Sequence, residues 1–253
     1  MGSYGKTLMQ VRSGDTLGNF AYLIELYSDK TDGFKELDGG GDTGYSKTDF
    51  MTKLRYSFSE SHALEFKYSM TDEISDETYL GLTDSDFSDN PLRRYRATAL
   101  DEMDADHSQV MLSYAAKLND NMSLAIVGYS NDFARNWYKL NKVNGMSLSS
   151  ITKPTADGWN DFYALMNAQN SADDAYRIKA NNREYYSSGV QAVLNVSAGA
   201  HDIQAGVRIH NDEMDRFQWE DRYAMQNGKL VMTTQATKGS DSNRIDSAEA
   251  TAL

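Results

Sequence analysis

The sequence predicts an all-β chain, an antiparallel transmembrane β-barrel segment of about eight to nine strands with long extracellular loops. Three observations predict it. Apolar and polar side chains alternate with period two in stretch after stretch, as on a strand with two different faces. Short turns and long connections alternate along the chain. The composition suits sheet: 16 Tyr and 9 Phe occur in 253 residues, with only two prolines, Pro91 and Pro154. Proline would remove ladder hydrogen bonds, and aromatic residues favour strands.

The elements follow in order. A first, weaker hairpin joins Lys6–Arg12 to Phe20–Tyr27, where Phe20, Tyr22, Ile24 and Leu26 alternate with Glu25. In the second, Phe50, Leu54, Tyr56 and Phe58 share one parity and Lys53, Arg55 and Ser57 the other. Ser59-Glu60-Ser61-His62 turns the chain, and Leu64, Phe66, Tyr68 and Met70 return against Glu65, Lys67 and Ser69. The third runs through Val110, Leu112, Tyr114, Ala116 and Leu118, turns at Asn119-Asp120-Asn121, and starts back with Met122, Leu124 and Ile126. Val127 and Tyr129 leave the facing of that return strand open. The fourth has Tyr186, Val190, Ala192, Leu194 and Val196, a turn at Ala198-Gly199-Ala200, then Ile203, Ala205, Val207 and Ile209 against Gln204, Arg208 and His210. A ninth strand starts near Asn243.

The turns at 13–18, 59–62, 119–121 and 198–200 are short, whereas the segments 28–48, 71–107, 131–183 and 211–243 are long. Compact domains rarely repeat such long connections. Bacterial outer-membrane barrels have this asymmetry, with short periplasmic turns and long extracellular loops. Their strands need about 9–11 residues to cross the bilayer, which the arms here supply. One apolar row faces lipid and its polar neighbours face the interior, so a negative mean hydropathy is compatible with a membrane protein. Tyr27, Tyr56, Tyr68 and Tyr186 stand near strand ends and suit interfacial girdles.

Other classes are excluded by composition. The net charge of −12 argues against a nucleic-acid partner. Without cysteine there are no disulfides, thiolate metal sites or cysteine nucleophiles. No run approaches the ~20 apolar residues of a membrane helix. Met-Gly-Ser-Tyr-Gly-Lys opens the chain without the features of a signal peptide, and Ala248-Glu249-Ala250-Thr251-Ala252-Leu253 ends it without an aromatic terminus. Both ends therefore read as cut, and the chain as an internal piece of a larger barrel.

Several segments resemble one family. They are Gly33-Phe34-Lys35-Glu36-Leu37-Asp38-Gly39-Gly40-Gly41-Asp42-Thr43-Gly44, Glu77-Thr78-Tyr79-Leu80-Gly81-Leu82-Thr83-Asp84, Asp86-Phe87, Pro91-Leu92-Arg93-Arg94-Tyr95, Asn131-Asp132-Phe133 and Trp137-Tyr138-Lys139-Leu140. They look like loops of TonB-dependent outer-membrane receptors, of the ferric dicitrate transport type, and the likeness extends from about Tyr4 to Leu253. The resemblance implies a Gram-negative outer membrane, a ferric chelate (siderophore or ferric citrate) as ligand, and the TonB complex as partner through segments outside this chain. It also implies that residues 1–253 are one partial barrel domain, with the plug domain and the C-terminal barrel strands lying beyond it. No cofactor is implied.

The candidate ligand-binding residues are Arg93, Arg94 and Arg96, since guanidinium groups hold carboxylates in a bidentate fork. In the alternative reading they pair with Asp84, Asp86, Asp89, Asp101 and Glu102. Lys53, Arg55, Lys67, Gln204 and Arg208 are the expected lumen-facing residues. The run Asp84–Asp89 could hold Ca²⁺ but lacks the glycine and final glutamate of an EF-hand loop, and reads better as a solvated loop. Between Asp157 and Ile178, the spacing of Trp159, Phe162, Tyr163, Leu165 and Met166 predicts a short amphipathic helix. His62, His107, His201 and His210 are too scattered for a metal site. No catalytic motif appears, so the chain does not read as an enzyme. Two other functions fit the pattern: a soluble β-rich ligand- or glycan-binding module stacking sugars on Trp137, Tyr138 and Trp159, and an enzyme or adhesin on a small closed barrel.

Overall fold

The computed structural model describes residues 2–237 and 242–252. Along the chain come β1 (Thr7–Leu17), β2 (Phe20–Thr31), the short β3 (Glu36–Leu37), β4 (Tyr45–Ser59) and β5 (His62–Ser75). Then follow α1 (Asp84–Asp89), the short β6 (Arg93–Arg94), β7 (Glu102–Asn119) and β8 (Met122–Val143). The short β9 (Met146–Ser147), α2 (Trp159–Leu165), β10 (Tyr176–Ala198), β11 (His201–Gln226), β12 (Lys229–Thr234) and β13 (Ser242–Ala252) complete the order. One antiparallel sheet runs β1-β2-β4-β5-β7-β8-β10-β11, with β12 and β13 both pairing β11. β3 and β6 form a separate parallel pair.

The predicted hairpins are present, with tight turns at 60–61, 120–121 and 199–200. The first hairpin differs. Its strand continues through Ser13–Leu17, and the turn is only Gly18-Asn19, with Gly18 at φ 63°. Polar residues on both faces erased the alternation there. The strands also climb well into the predicted loops. β8, β10 and β11 reach 22, 23 and 26 residues, at least twice what a bilayer crossing requires. The connection expected at 211–243 is mostly strand and runs partly outside the described residues. Met1 and Leu253, which mark the two ends read as cut, also lie outside them.

Register decides the facing. One cross-strand row reads Tyr22, Leu54, Phe66, Leu112, Gly128, Val190, Ile209 across seven strands. The next reads Phe20, Tyr56, Leu64, Tyr114, Ile126, Ala192, Val207. These side chains form one continuous apolar face, and nothing in the described chain covers it: Phe58 is 59% exposed and Val207 58%. From Phe50 to Phe58 the band spans nine residues. At about 3.3 Å each and a tilt near 40°, that height approaches the ~25 Å apolar band of outer-membrane barrels. A patch of this extent marks a surface made to be covered by a partner or a membrane.

The opposite face carries Lys53 against Lys67, Arg55 against Glu65, Gln204 against Asn195 and Arg208 against Gln191. All five expected residues therefore share the polar side. Val127 and Tyr129 lie on it too, opposite Ser113 and Met111, which resolves the open facing of that strand. Gly189 makes room for the Tyr129 ring, since a Cβ there would meet the Tyr129 hydroxyl at 2.5 Å. Among the four tyrosines expected in girdles, Tyr56, Tyr68 and Tyr186 share the apolar side. Tyr27 lies on the polar side, opposite Asp49, and its hydroxyl donates to Asp29 at 3.2 Å.

The buried core lies at the long-loop end. Leu140, Val143, Tyr176, Ile178, Tyr223 and Met225 from the tops of β8, β10 and β11 pack against Tyr95, Leu148, Ile151, Phe162 and Met166 from the connections. α2 is the predicted amphipathic helix, confined to Trp159–Leu165, and Phe162 is fully buried. Beyond it the chain turns and resumes as β10 at Tyr176, so the short helix lies within the segment Asp157 to Ile178 where it was expected.

Candidate ligand site at the loop end of the sheet

Long polar strands carry side chains above the apolar band, where register sets them side by side. On the polar side Arg135 stands opposite Arg183, and Arg183 opposite Arg216. Four residues further along β8, Lys139 stands opposite Lys179. Like charges directly opposite each other destabilise a sheet. A chain with net charge −12 has nonetheless gathered five cations here, with Glu220 opposite Lys179 and Asp246 opposite Arg216 in the register. Such a cluster suits an anion larger than a single carboxylate.

Two rings frame the cluster. The Lys139 ammonium lies 3.6 Å from the Trp137 ring centroid and 3.7 Å from that of Tyr79. Burial pulls Lys139 down to about 8, with Lys179 and Arg135 adding to the effect and Asp101 opposing it. Lower on the face, Arg183 donates to the Tyr185 hydroxyl at 3.1 Å, and Tyr185 stacks on Phe133.

The three sequence-predicted arginines lie close together, but they are engaged differently. Arg93 forms ion pairs with Asp38 at 2.8 Å and Asp86 at 2.5 Å. Arg94 is buried and donates to the carbonyls of Asp76, Thr98 and Asp101 and to the Thr98 hydroxyl. Among the described residues Arg96 has no carboxylate partner. Its Nε donates to the Asp38 carbonyl at 3.3 Å, and it lines a cleft of about 590 Å³ with Gly39, Gly40, Gln169, Gly228 and Lys229.

The acidic run 84–89 is not an open solvated loop. It is α1, capped by the Thr83 hydroxyl. Asp86 is a buried hub that accepts from Tyr95, Tyr163, Thr83 and Arg93. Burial, reinforced by the hydrogen bond to Asp86, pushes the Tyr95 phenol up to about 12. Asp101 is also buried. One oxygen accepts the Leu140 amide at 2.6 Å and the other has no partner among the described residues. The histidines are far apart: His62 meets Tyr114, and His210 meets Tyr129 and Asp212. Among the described residues no group of three His, Cys, Asp or Glu could hold a metal ion.

Sequence reasoning missed the arginine row. Its members are 48 and 33 residues apart, and only strand register joins them. A usable signal existed in one hairpin: counting outward from the turn at 199–200 pairs Arg183 with Arg216.

No protein-family model matches this chain, and no curated protein does. Solved structures do match. The ferric citrate transporter FecA, in its unliganded form, aligns with a TM-score of 0.67 at 14% identity, over 98% of this chain and 32% of that one. The ferric-catecholate import receptor Fiu from E. coli K12, in an open form, aligns with a TM-score of 0.63 at 12% identity, over 98% of this chain and 38% of that one. This chain spans about a third of the length of these structures, and at such identities the likeness is one of fold. By name the first is a transporter and the second an import receptor.

Proposed function

We propose that the chain is part of the barrel of a TonB-dependent outer-membrane receptor, and that the whole protein imports an anionic ferric chelate, a siderophore or ferric citrate, into a Gram-negative bacterium. The observation that carries this reading is the two-faced sheet: an uncovered apolar row crosses seven strands, and a cation cluster stands on the opposite face above it. The fold shared with FecA and Fiu supports it. In this reading residues 1–253 are one partial barrel domain, and the plug, the remaining strands and the contact with the TonB complex belong to the rest of the protein. Lys53, Arg55, Lys67, Gln204 and Arg208 line the lumen. Arg135, Arg183 and Arg216 draw the chelate inward through charge. Of the three arginines first singled out, Arg96 presents its guanidinium to ligand, while Arg93 and Arg94 hold the loop that carries it.

Bromine on lipid acyl chains quenches tryptophan that touches them. With the chain folded into such vesicles, a Val207→Trp variant is expected to be quenched and an Arg208→Trp variant spared. Equal quenching of both, or of neither, would remove the membrane reading and the transport reading with it.

A further inference from the structure

Tyr79 sits where a ligand could. Its ring lies 5.4 Å from that of Trp137, tilted by 60°, and caps the Lys139 ammonium from the second side. Its hydroxyl makes no hydrogen bond among the described residues, and the side chain is 51% exposed. The ring, not the hydroxyl, holds it in place. Residues 76–83 form neither strand nor helix. Amide hydrogen bonds pin the segment at its ends, from the Asp76 amide to the Gly44 carbonyl and from the Thr83 amide to the Tyr95 hydroxyl. Near Tyr79 the Trp137 indole donates to the Glu77 carbonyl at 3.3 Å, and the neighbouring Leu80 packs against the buried core, so the segment is anchored around a ring that is itself half exposed.

We propose that Trp137 and Lys139 form a receiving site for an aromatic ring bearing an acidic hydroxyl or carboxylate, and that Tyr79 occupies this site as an internal stand-in until such a ring displaces it. The proposal rests on reading this face as the ligand face, and it deepens that reading by naming a substrate class. A neutral phenol gives Lys139 a π-face and nothing more. An aryl oxyanion gives the same face and adds charge toward Lys139, Lys179 and Arg135. An aliphatic carboxylate supplies charge without the ring, so it cannot replace the cation–π contact that Tyr79 forfeits on leaving. Self-occupation also lowers apparent affinity, because only the fraction of molecules with the site vacated can bind.

The test uses the 253-residue chain folded in detergent, with 2,3-dihydroxybenzoate and citrate as probes and calorimetry as the readout. Tyr79→Ala is expected to tighten 2,3-dihydroxybenzoate by about tenfold and leave citrate unchanged. Tyr79→Phe keeps the ring and should behave as the parent does. Trp137→Ala should abolish the tightening when combined with Tyr79→Ala. The inference is overturned if Tyr79→Ala leaves 2,3-dihydroxybenzoate binding unchanged or weaker, or if citrate tightens equally. Insertion into vesicles is scored separately. A chain that fails to insert yet shows the Tyr79 effect removes the transport reading alone, and an inserted chain without the effect removes this inference alone.

Discussion

Leu112 and Leu140 lie in neighbouring strands on the same side of one sheet, and they meet opposite fates. Leu112 is exposed in the middle of the apolar band, whereas Leu140, near the top of β8, has no exposed surface. Tyr56 and Tyr176 repeat the contrast. At the top, the connections supply the cover: Leu148, Ile151, Phe162 and Met166 close over the strand ends as in any water-soluble core. Lower down the chain supplies no cover. The difference teaches that one sheet carries two kinds of apolar surface. Its cap satisfies the hydrophobic effect from within, and its band leaves that to the surroundings.

The largest expected effect tests the cap as an independent core. Phe162→Ala removes a fully buried ring and should cost about 3–5 kcal/mol of cap stability. Proteolysis should then cut within residues 144–175 while β4, β5 and β7 keep their amide protection. Melting of those strands in step with the cap would break the comparison, because cap and band would then be one cooperative unit. Next in size is a charge placed in the band. Val207→Arg should cost about 2–4 kcal/mol in a bilayer if Val207 sits near mid-membrane. Denaturant titration in vesicles reads the loss, and a negligible change would mean that hydrocarbon does not cover this face.

The same contrast explains which parts of the structure the sequence revealed. Val190, Ala192, Leu194 and Val196 alternate cleanly because an uncovered apolar face and a polar face meet across that strand, so hairpins two, three and four could be placed to within a residue or two at their turns. Above the band, both faces carry polar residues. Glu184 and Arg183 on β10 are both polar, as are Asp132 and Asn131 on β8, so the period vanishes and strand reads as loop. Ser13–Leu17 failed for the same reason at the other end. Tyr27 misled because tyrosine suits either face, and the side was fixed by its bond to Asp29. The arginine row was hidden more deeply: pairing β8 with β10 requires crossing residues 144–175, and no local rule gives that register.

The smallest expected effect sharpens the cap side of the comparison, through pH. Burial raises the Asp101 carboxyl to about 7, although the Leu140 amide, Arg94 and Lys139 each pull it down. In the unfolded chain an aspartate titrates near 3.9. Between those values the folded cap binds a proton that the unfolded chain has released. Stability must therefore fall as pH rises through that window, and level off above about 7. Within that window the fall should be on the order of 1 kcal/mol per pH unit. Asp101→Asn keeps an oxygen to accept the Leu140 amide while removing the titration, so its profile should be flat where the parent's slopes. Hydrogen exchange at the Leu140 amide, followed from pH 5 to pH 8, measures this directly. The band carries no such buried carboxylate among its described outward residues, so exchange there should show no matching slope. A slope shared by band and cap would mean that Asp101 titrates with the whole fold rather than with the water-facing core.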